Sequence, residues 1–184
     1  RITQAHAAPP CKASHQMQLQ FPQADVIGLD WSERMLQQMQ NRNTAGRNPR
    51  PLCADMHDLP IPSLSVDVVF SNLAVQWSSD LKSLFTGIRR VLKPGGMLLF
   101  STFGPDTLLE LRTAWSQADD QPHVNRFIDM HDIGDVLVAT GFAEPVMDVD
   151  KLTLEYRDVL SLMRELKAIG AHNAATGRNP GLTG

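Results

Sequence analysis

Apolar and polar positions along the chain alternate between two patterns, short continuous apolar runs and longer stretches with one apolar stripe. The run Val26-Ile27-Gly28-Leu29, closed by Asp30, predicts a short buried strand. Ser32 then stands as a helix N-cap with Glu33 in the first turn, and Met35, Leu36 and Met39 form one side of the helix. A loop rich in Gly, Asn and Pro at residues 43–51 ends it, and a second short strand is predicted at residues 52–54. Residues 66–71, VDVVFS, are apolar and β-branched enough for a buried parallel strand. Leu81, Leu84, Phe85, Ile88 and Val91 recur at helical spacing, with Arg89, Arg90 and Lys93 near the end that the helix dipole makes favourable to cations. Pro94-Gly95-Gly96 reads as the stop of that helix, and residues 97–103 as another buried strand. Residues 25–103 therefore read β-α-β, loop, β-α-β, which predicts a doubly wound α/β sheet with mostly parallel strands.

The flanks read differently. Residues 1–20 show neither the strand nor the helix period, and Pro9-Pro10 would interrupt either element, so this stretch reads as irregular. Beyond the sheet, helices are predicted at residues 107–117 and 132–140, the latter stopped by Gly141. Strand-like alternation follows at 146–150 and 152–156; Val159, Met163 and Leu166 have helical spacing, and residues 174–184 read as loop. A chain of 184 residues can bury a real core, so one domain is expected. Lys plus Arg number 17 against 20 Asp plus Glu, which gives no general reason to expect nucleic acid. Cys11 and Cys53 have no metal-type spacing, so neither a disulfide framework nor a metal site is expected, and a reducing cytoplasm fits. No apolar run approaches the roughly 20 residues that span a bilayer, and no export signal is evident, so no membrane association is expected.

In open parallel sheets, ligands bind outside the carboxyl ends of the strands. Asp30 ends the first legible strand, where a carboxylate can accept hydrogen bonds from both hydroxyls of a ribose. Asp55 follows the next strand and can accept from an exocyclic amino group, and Ser71-Asn72-Leu73 places small polar groups at the same edge. Taken singly, an Asp in such a position is as readily a helix cap. The series VIGLDWSERML, CADMHDLP, VDVVFSNLAVQW and RRVLKPGGMLLFSTFG, in this order and spacing, resembles the class I S-adenosylmethionine-dependent methyltransferases. That resemblance implies S-adenosyl-L-methionine as cofactor. It places Asp30, with Trp31 beside it, at the ribose, Asp55 and Met56 at the adenine, and Asn72 and Leu73 under the methyl donor.

The second half narrows the resemblance. SNLAVQW, LRTAW, PHVNRF and MRELKAIGAHNAATGRNPGLTG are similar to the malonyl-acyl-carrier-protein O-methyltransferase family of biotin synthesis, over about residues 21–184. The resemblance implies methyl transfer to the free carboxylate of a malonyl thioester on acyl-carrier protein. A carboxylate is already ionised near neutral pH, so no general base is needed. Arg126 would hold that carboxylate, since a guanidinium offers a fork of donors. His123 and Asn125 would orient the thioester or the pantetheine, Trp77 and Trp115 would line the pocket or else pack in the core, and Arg164, Lys167 and Arg178 would meet an acidic carrier protein or else form a solvated helix face.

The sequence departs from the family at its start and end. It lacks the D-x-G-x-G-x-G loop, and Gly95-Gly96 lies between a helix and a strand, the reverse of the required order. The family's final strand is also missing. The expected fold is thus an incomplete Rossmann-like sheet without its first and last strands: residues 1–20 an irregular segment foreign to the family, residues 21–184 a partial methyltransferase domain. Within it, 21–104 form the cofactor half and 105–184 the substrate half. A gap beside residues 26–29 and 66–71 would leave two inner edges unpaired and the fold marginally stable. The alternatives are a catalytically inactive methyltransferase-like fragment or binding module, and a methyltransferase of another small molecule.

Overall fold

The structure, a computed structural model, describes residues 2–6, 11–41, 47–118 and 123–168. They divide into two units, Arg1–Thr102 with His131–Met147 and Phe103–Met130 with Asp148–Gly184. The chain crosses between units at residues 102–103, and residues 131–147 return to the first.

The first unit contains a five-stranded parallel sheet with order β3-β2-β1-β4-β5. Its strands are β1 (Ile2–His6), β2 (Val26–Asp30), β3 (Arg50–Cys53), β4 (Val66–Asn72) and β5 (Leu92–Ser101). The expectation of an irregular start and an empty central position is therefore corrected. β1 pairs with β2 from Ile2↔Val26 and with β4 from Ile2↔Val68 to His6↔Asn72, so both inner edges have a neighbour. Pro9-Pro10 falls after this strand in sequence, and a run as short and mixed as ITQAH carries too little periodicity to be read as a strand.

Helix α1 (Cys11–Gln20) follows, and its lack of an apolar stripe has a structural cause. Its buried side chains include Ser14, His15 and Gln18. Gln18 Nε2 donates to the carbonyls of Phe21 at 3.3 Å and Ala24 at 3.1 Å, closing the turn into β2. Gly28 is needed in β2 because a Cβ there would lie 2.5 Å from Met39 Sδ and 3.1 Å from Ser14 Oγ, which brings α1 and α2 (Glu33–Gln40) close to the strand.

The core gathers around α3 (Leu81–Val91), whose Leu81, Leu84, Phe85, Ile88 and Val91 are buried as their spacing predicts. Asp80 caps this helix, its side chain accepting from Ser83 N at 2.9 Å. The Phe85 ring lies 5.7 Å from Phe100 and meets Phe142 edge-on at 6.2 Å. Ile133 and Leu137 of α5 (Met130–Ala139) join this cluster. Gly141, at φ 88°, ends α5: Phe142 N donates to Leu137 O and Gly141 N to Val138 O. At the other end of α3, Arg90 donates to the carbonyls of Leu59 at 2.6 Å and Ile61 at 2.8 Å, while Arg89 donates to Gly141 O at 3.2 Å.

Two boundaries differ from expectation. Helix α3 stops at Val91, and Pro94-Gly95-Gly96 lies inside β5, where the register jumps from Val66↔Leu92 to Val68↔Met97. Gly95 has φ +74°, so these residues form a bulge within the strand rather than the helix stop. The alternation at 146–150 and 152–156 does not form strands, since a ladder needs a paired neighbour, and Val146, Leu152 and Leu154 are strongly exposed. No strand follows Ser101 among the described residues.

The second unit contains α4 (Leu109–Ser116) and α6 (Val159–Ala168). No described helix is long and apolar enough to cross a membrane.

Candidate functional site

Parallel register brings the carboxyl ends of the strands to one edge. His6 aligns with Asn72, Asn72 with Ser101, and Asp30 with Cys53. The strand order reverses direction between β1 and β4, the place where an open sheet leaves a crevice for a ligand.

Asp30 is 5% exposed, and its Oδ1 accepts from Ser32 N at 2.8 Å. The expected cap is thereby inverted, because Ser32 makes no side-chain cap and Asp30 holds the turn instead. Burial pushes the Asp30 carboxyl above its ordinary range, against the lowering effect of the Ser32 and Trp31 amides. A carboxylate removed from water in this way gains from hydroxyl donors. Trp31 is 84% exposed, and its backbone carbonyl accepts from Cys53 Sγ at 3.5 Å.

Asp55 lies in the open, and its Oδ1 receives two donors from one residue, His57 N at 2.9 Å and His57 Nδ1 at 2.8 Å. These bonds hold the carboxyl below its usual range, the backbone donor most strongly. The other ring nitrogen, Nε2, meets Ser78 Oγ at 2.8 Å. Met56 is half-buried against the core.

At the end of β4, Asn72 Oδ1 accepts from Ser101 Oγ at 2.6 Å. Leu73 has φ +52°, in the left-handed region, and its N–H donates to Ser101 O at 3.0 Å. The turn leads into the short 3-10 segment Val75–Trp77, where the buried Trp77 Nε1 has no hydrogen-bond partner among the described residues. A cavity of about 20 Å³ lined by Leu29, Met56, Val69, Val75 and Leu84 lies behind the edge, large enough only for a water. Any ligand larger than a water would have to sit at the open edge instead.

The donor set fits such a ligand. Asp30 and Asp55 offer carboxylate oxygens to hydroxyl and amino groups, and segments 30–33, 53–58, 71–78 and 101–102 contain no Lys or Arg that would suit a phosphate. No group of three His, Cys, Asp or Glu able to hold a metal occurs among the described residues.

In the second unit the His123 ring stacks on Trp115 at 4.0 Å, and Phe127 meets Phe103 at 5.2 Å. These two contacts pin the segment on either side of Asn125, which is half-buried, and Arg126, which is exposed. Trp115 is thereby engaged with His123. Arg164 and Lys167 are exposed on α6, while Arg178 lies outside the described residues. Asp30, Asp55, Met56, Asn72 and Leu73 belong to the first unit and His123, Asn125 and Arg126 to the second. Sequence reasoning missed His57, Ser78 and Ser101. Only the Asp55-x-His57 spacing hinted at one of them.

Residues 10–100 match the methyltransferase-domain family. A methyltransferase structure from Methanosarcina mazei superposes with TM-score 0.67 at 15% identity, covering 82% of this chain and 83% of that one. One from Mesorhizobium loti gives 0.62 at 23%, covering 78% and 74%. The parallel strand order is that of the Rossmann-like fold these methyltransferase structures share, and the chain carries a methyltransferase domain over residues 10–100.

Within that family its sequence is similar to the malonyl-[acyl-carrier protein] O-methyltransferases. That of Gallionella capsiferriformans is 51% identical over 92% of this chain and 60% of its own length. That of Nitrosospira multiformis is 49% identical over 89% and 59%, and that of Methylovorus sp. 50% over 94% and 60%. The chain thus spans about 60% of the length of these relatives.

Proposed function

We propose that the protein transfers a methyl group from S-adenosyl-L-methionine to the free carboxylate of a malonyl thioester carried on acyl-carrier protein, an early step of biotin synthesis. The observation that supports this reading is identity at about half of all positions, over nine-tenths of the chain, to enzymes so named. When bound, the cofactor supplies a methyl group on a positively charged sulfur. Asp30 takes the ribose hydroxyls with Trp31 beside it, Asp55 and Met56 take the adenine, and Asn72 and Leu73 lie beneath the donor. The malonyl oxygen forms the new bond to carbon as the carbon–sulfur bond breaks, so no side chain need remove a proton.

Arg126 holds the malonyl carboxylate, and its exposure in a pinned segment suits capture of an incoming ionised group. His123 and Asn125 orient the thioester. Arg164 and Lys167 offer exposed positive charge to an acidic carrier protein, in a cytoplasmic setting. A second reading, a relative that has lost cofactor binding, is favoured by one observation: residues 1–20 contain no glycine where the family carries its glycine loop. Calorimetric titration with S-adenosylhomocysteine separates the two. Binding followed by methylation of malonyl-carrier protein, but not of free malonate, supports the proposal. A folded protein that does not bind supports the second reading.

A further inference from the structure

Asp55 is well placed to read a base but poorly restrained by packing, its side chain being 68% exposed. A carboxylate so exposed turns freely and presents both oxygens to water, which weakens any selection it makes. Here a single neighbour removes that freedom. His57 places its N–H and its Nδ1 on the same oxygen, Oδ1, at 2.9 and 2.8 Å. These bonds leave Oδ2 as the oxygen available to a ligand.

The imidazole is itself fixed. Its side chain is only 28% exposed, and Nε2 meets the hydroxyl of Ser78 at 2.8 Å. With Nδ1 protonated to donate to Asp55, Nε2 accepts from Ser78. Ser78 is buried, its amide donates to Val75 O at 3.0 Å, and its Oγ accepts from Asp80 N at 3.2 Å at the start of α3. The chain Asp55–His57–Ser78 therefore ties the loop after β3 to the rigid start of a core helix.

We propose that His57 is a positioning residue that aims Asp55 at the exocyclic amino group of the cofactor's base, so that the Asp55–His57–Ser78 relay sets selectivity for an amino over an oxo substituent. This rests on the cofactor reading given above. An amino group donates to the aimed oxygen, whereas an oxo group presents a second acceptor to it and is repelled.

The test is calorimetric titration of the full chain with S-adenosylhomocysteine and with S-inosylhomocysteine, which differ at that substituent and at N1, a donor only in the oxo form. His57→Ala is expected to weaken the adenosyl ligand about tenfold, the scale of one charged hydrogen bond, and to leave the inosyl ligand nearly unchanged. His57→Asn, which keeps a donor near Oδ1, is expected to restore part of the preference. Ser78→Ala removes only the far anchor and guards against a misfolded first variant; it is expected to reduce the preference in the same direction, by less. Equal weakening of both ligands would make the trio a mere staple between loops and overturn the proposal, as would an unchanged preference in all three variants. Failure of the parent chain to bind either ligand would overturn the cofactor reading and this inference with it.

Discussion

Replacing Asp30 by Ala separates a ligand contact from a structural cap, because the two roles predict opposite balances of affinity and stability. The parent carboxylate accepts from Ser32 N, and losing that bond costs about 1 kcal/mol. The same substitution removes a carboxyl that burial holds above its usual pKa. A carboxyl with a raised folded pKa is easier to fold protonated than ionised. Its unfavourable contribution therefore sets in as pH rises above the ordinary 3.8 and is complete only once pH exceeds the raised folded value. The two terms oppose each other, so the melting temperature of Asp30→Ala at neutral pH should lie within about 4 °C of the parent.

Binding should respond differently. Two ribose hydroxyls donating to a carboxylate are together worth about 2–4 kcal/mol, so affinity for S-adenosylhomocysteine should fall roughly 30- to 1000-fold. Calorimetric titration and thermal unfolding of the same two samples measure both quantities. Unchanged affinity would refute the ribose assignment. A fall in melting temperature beyond about 10 °C would show that Asp30 serves chiefly to hold the turn.

Phe85→Ala empties the centre of the Phe85, Phe100 and Phe142 group and should cost about 3–5 kcal/mol in urea unfolding. Arg90→Met keeps the aliphatic stem but deletes donors to two carbonyls; it should cost about 1–3 kcal/mol, with faster amide exchange at Leu59 and Ile61 than in the sheet. Asp67, paired with Lys93 at 2.7 Å, is pushed down to about 2. Because its folded pKa is depressed, its stabilisation is present above the ordinary 3.8 and lost as pH falls towards 2. The stability difference between parent and Asp67→Asn should therefore close over that interval in acid unfolding.

Much of the sheet was legible because burial leaves a signature in sequence. β2, β4 and α3 are written in continuous apolar runs or in one apolar stripe, and their residues occupy the core as those patterns require. β1 was not legible: its place depends on pairing with strands many residues away, and a five-residue run holds no period of its own. α1 was hidden for a different reason, since side chains it buries at Ser14, His15 and Gln18 are polar. The alternation at 146–156 misled because side-chain pattern alone does not provide a neighbouring strand. At the carboxyl edge of the sheet, Asp30, Asp55 and Asn72 could be named from their places after strands. Their pairings with Ser32, His57 and Ser101 could not, because turn geometry and register bring them together.

Among the described residues, Arg89 and Arg90 use only main-chain oxygens as acceptors, at Leu59, Ile61 and Gly141. Every residue type supplies a carbonyl, so the two partner loops can change side chains without breaking these bonds. The constraint is one-sided. At position 90 a lysine ammonium, a single point of charge, could not reproduce the fork of donors that spans two separate carbonyls. The end of α3 thus fixes the course of two distant loops while leaving much of their composition free to drift, and genetic variation should be tolerated more readily in the loops than at the arginines that hold them.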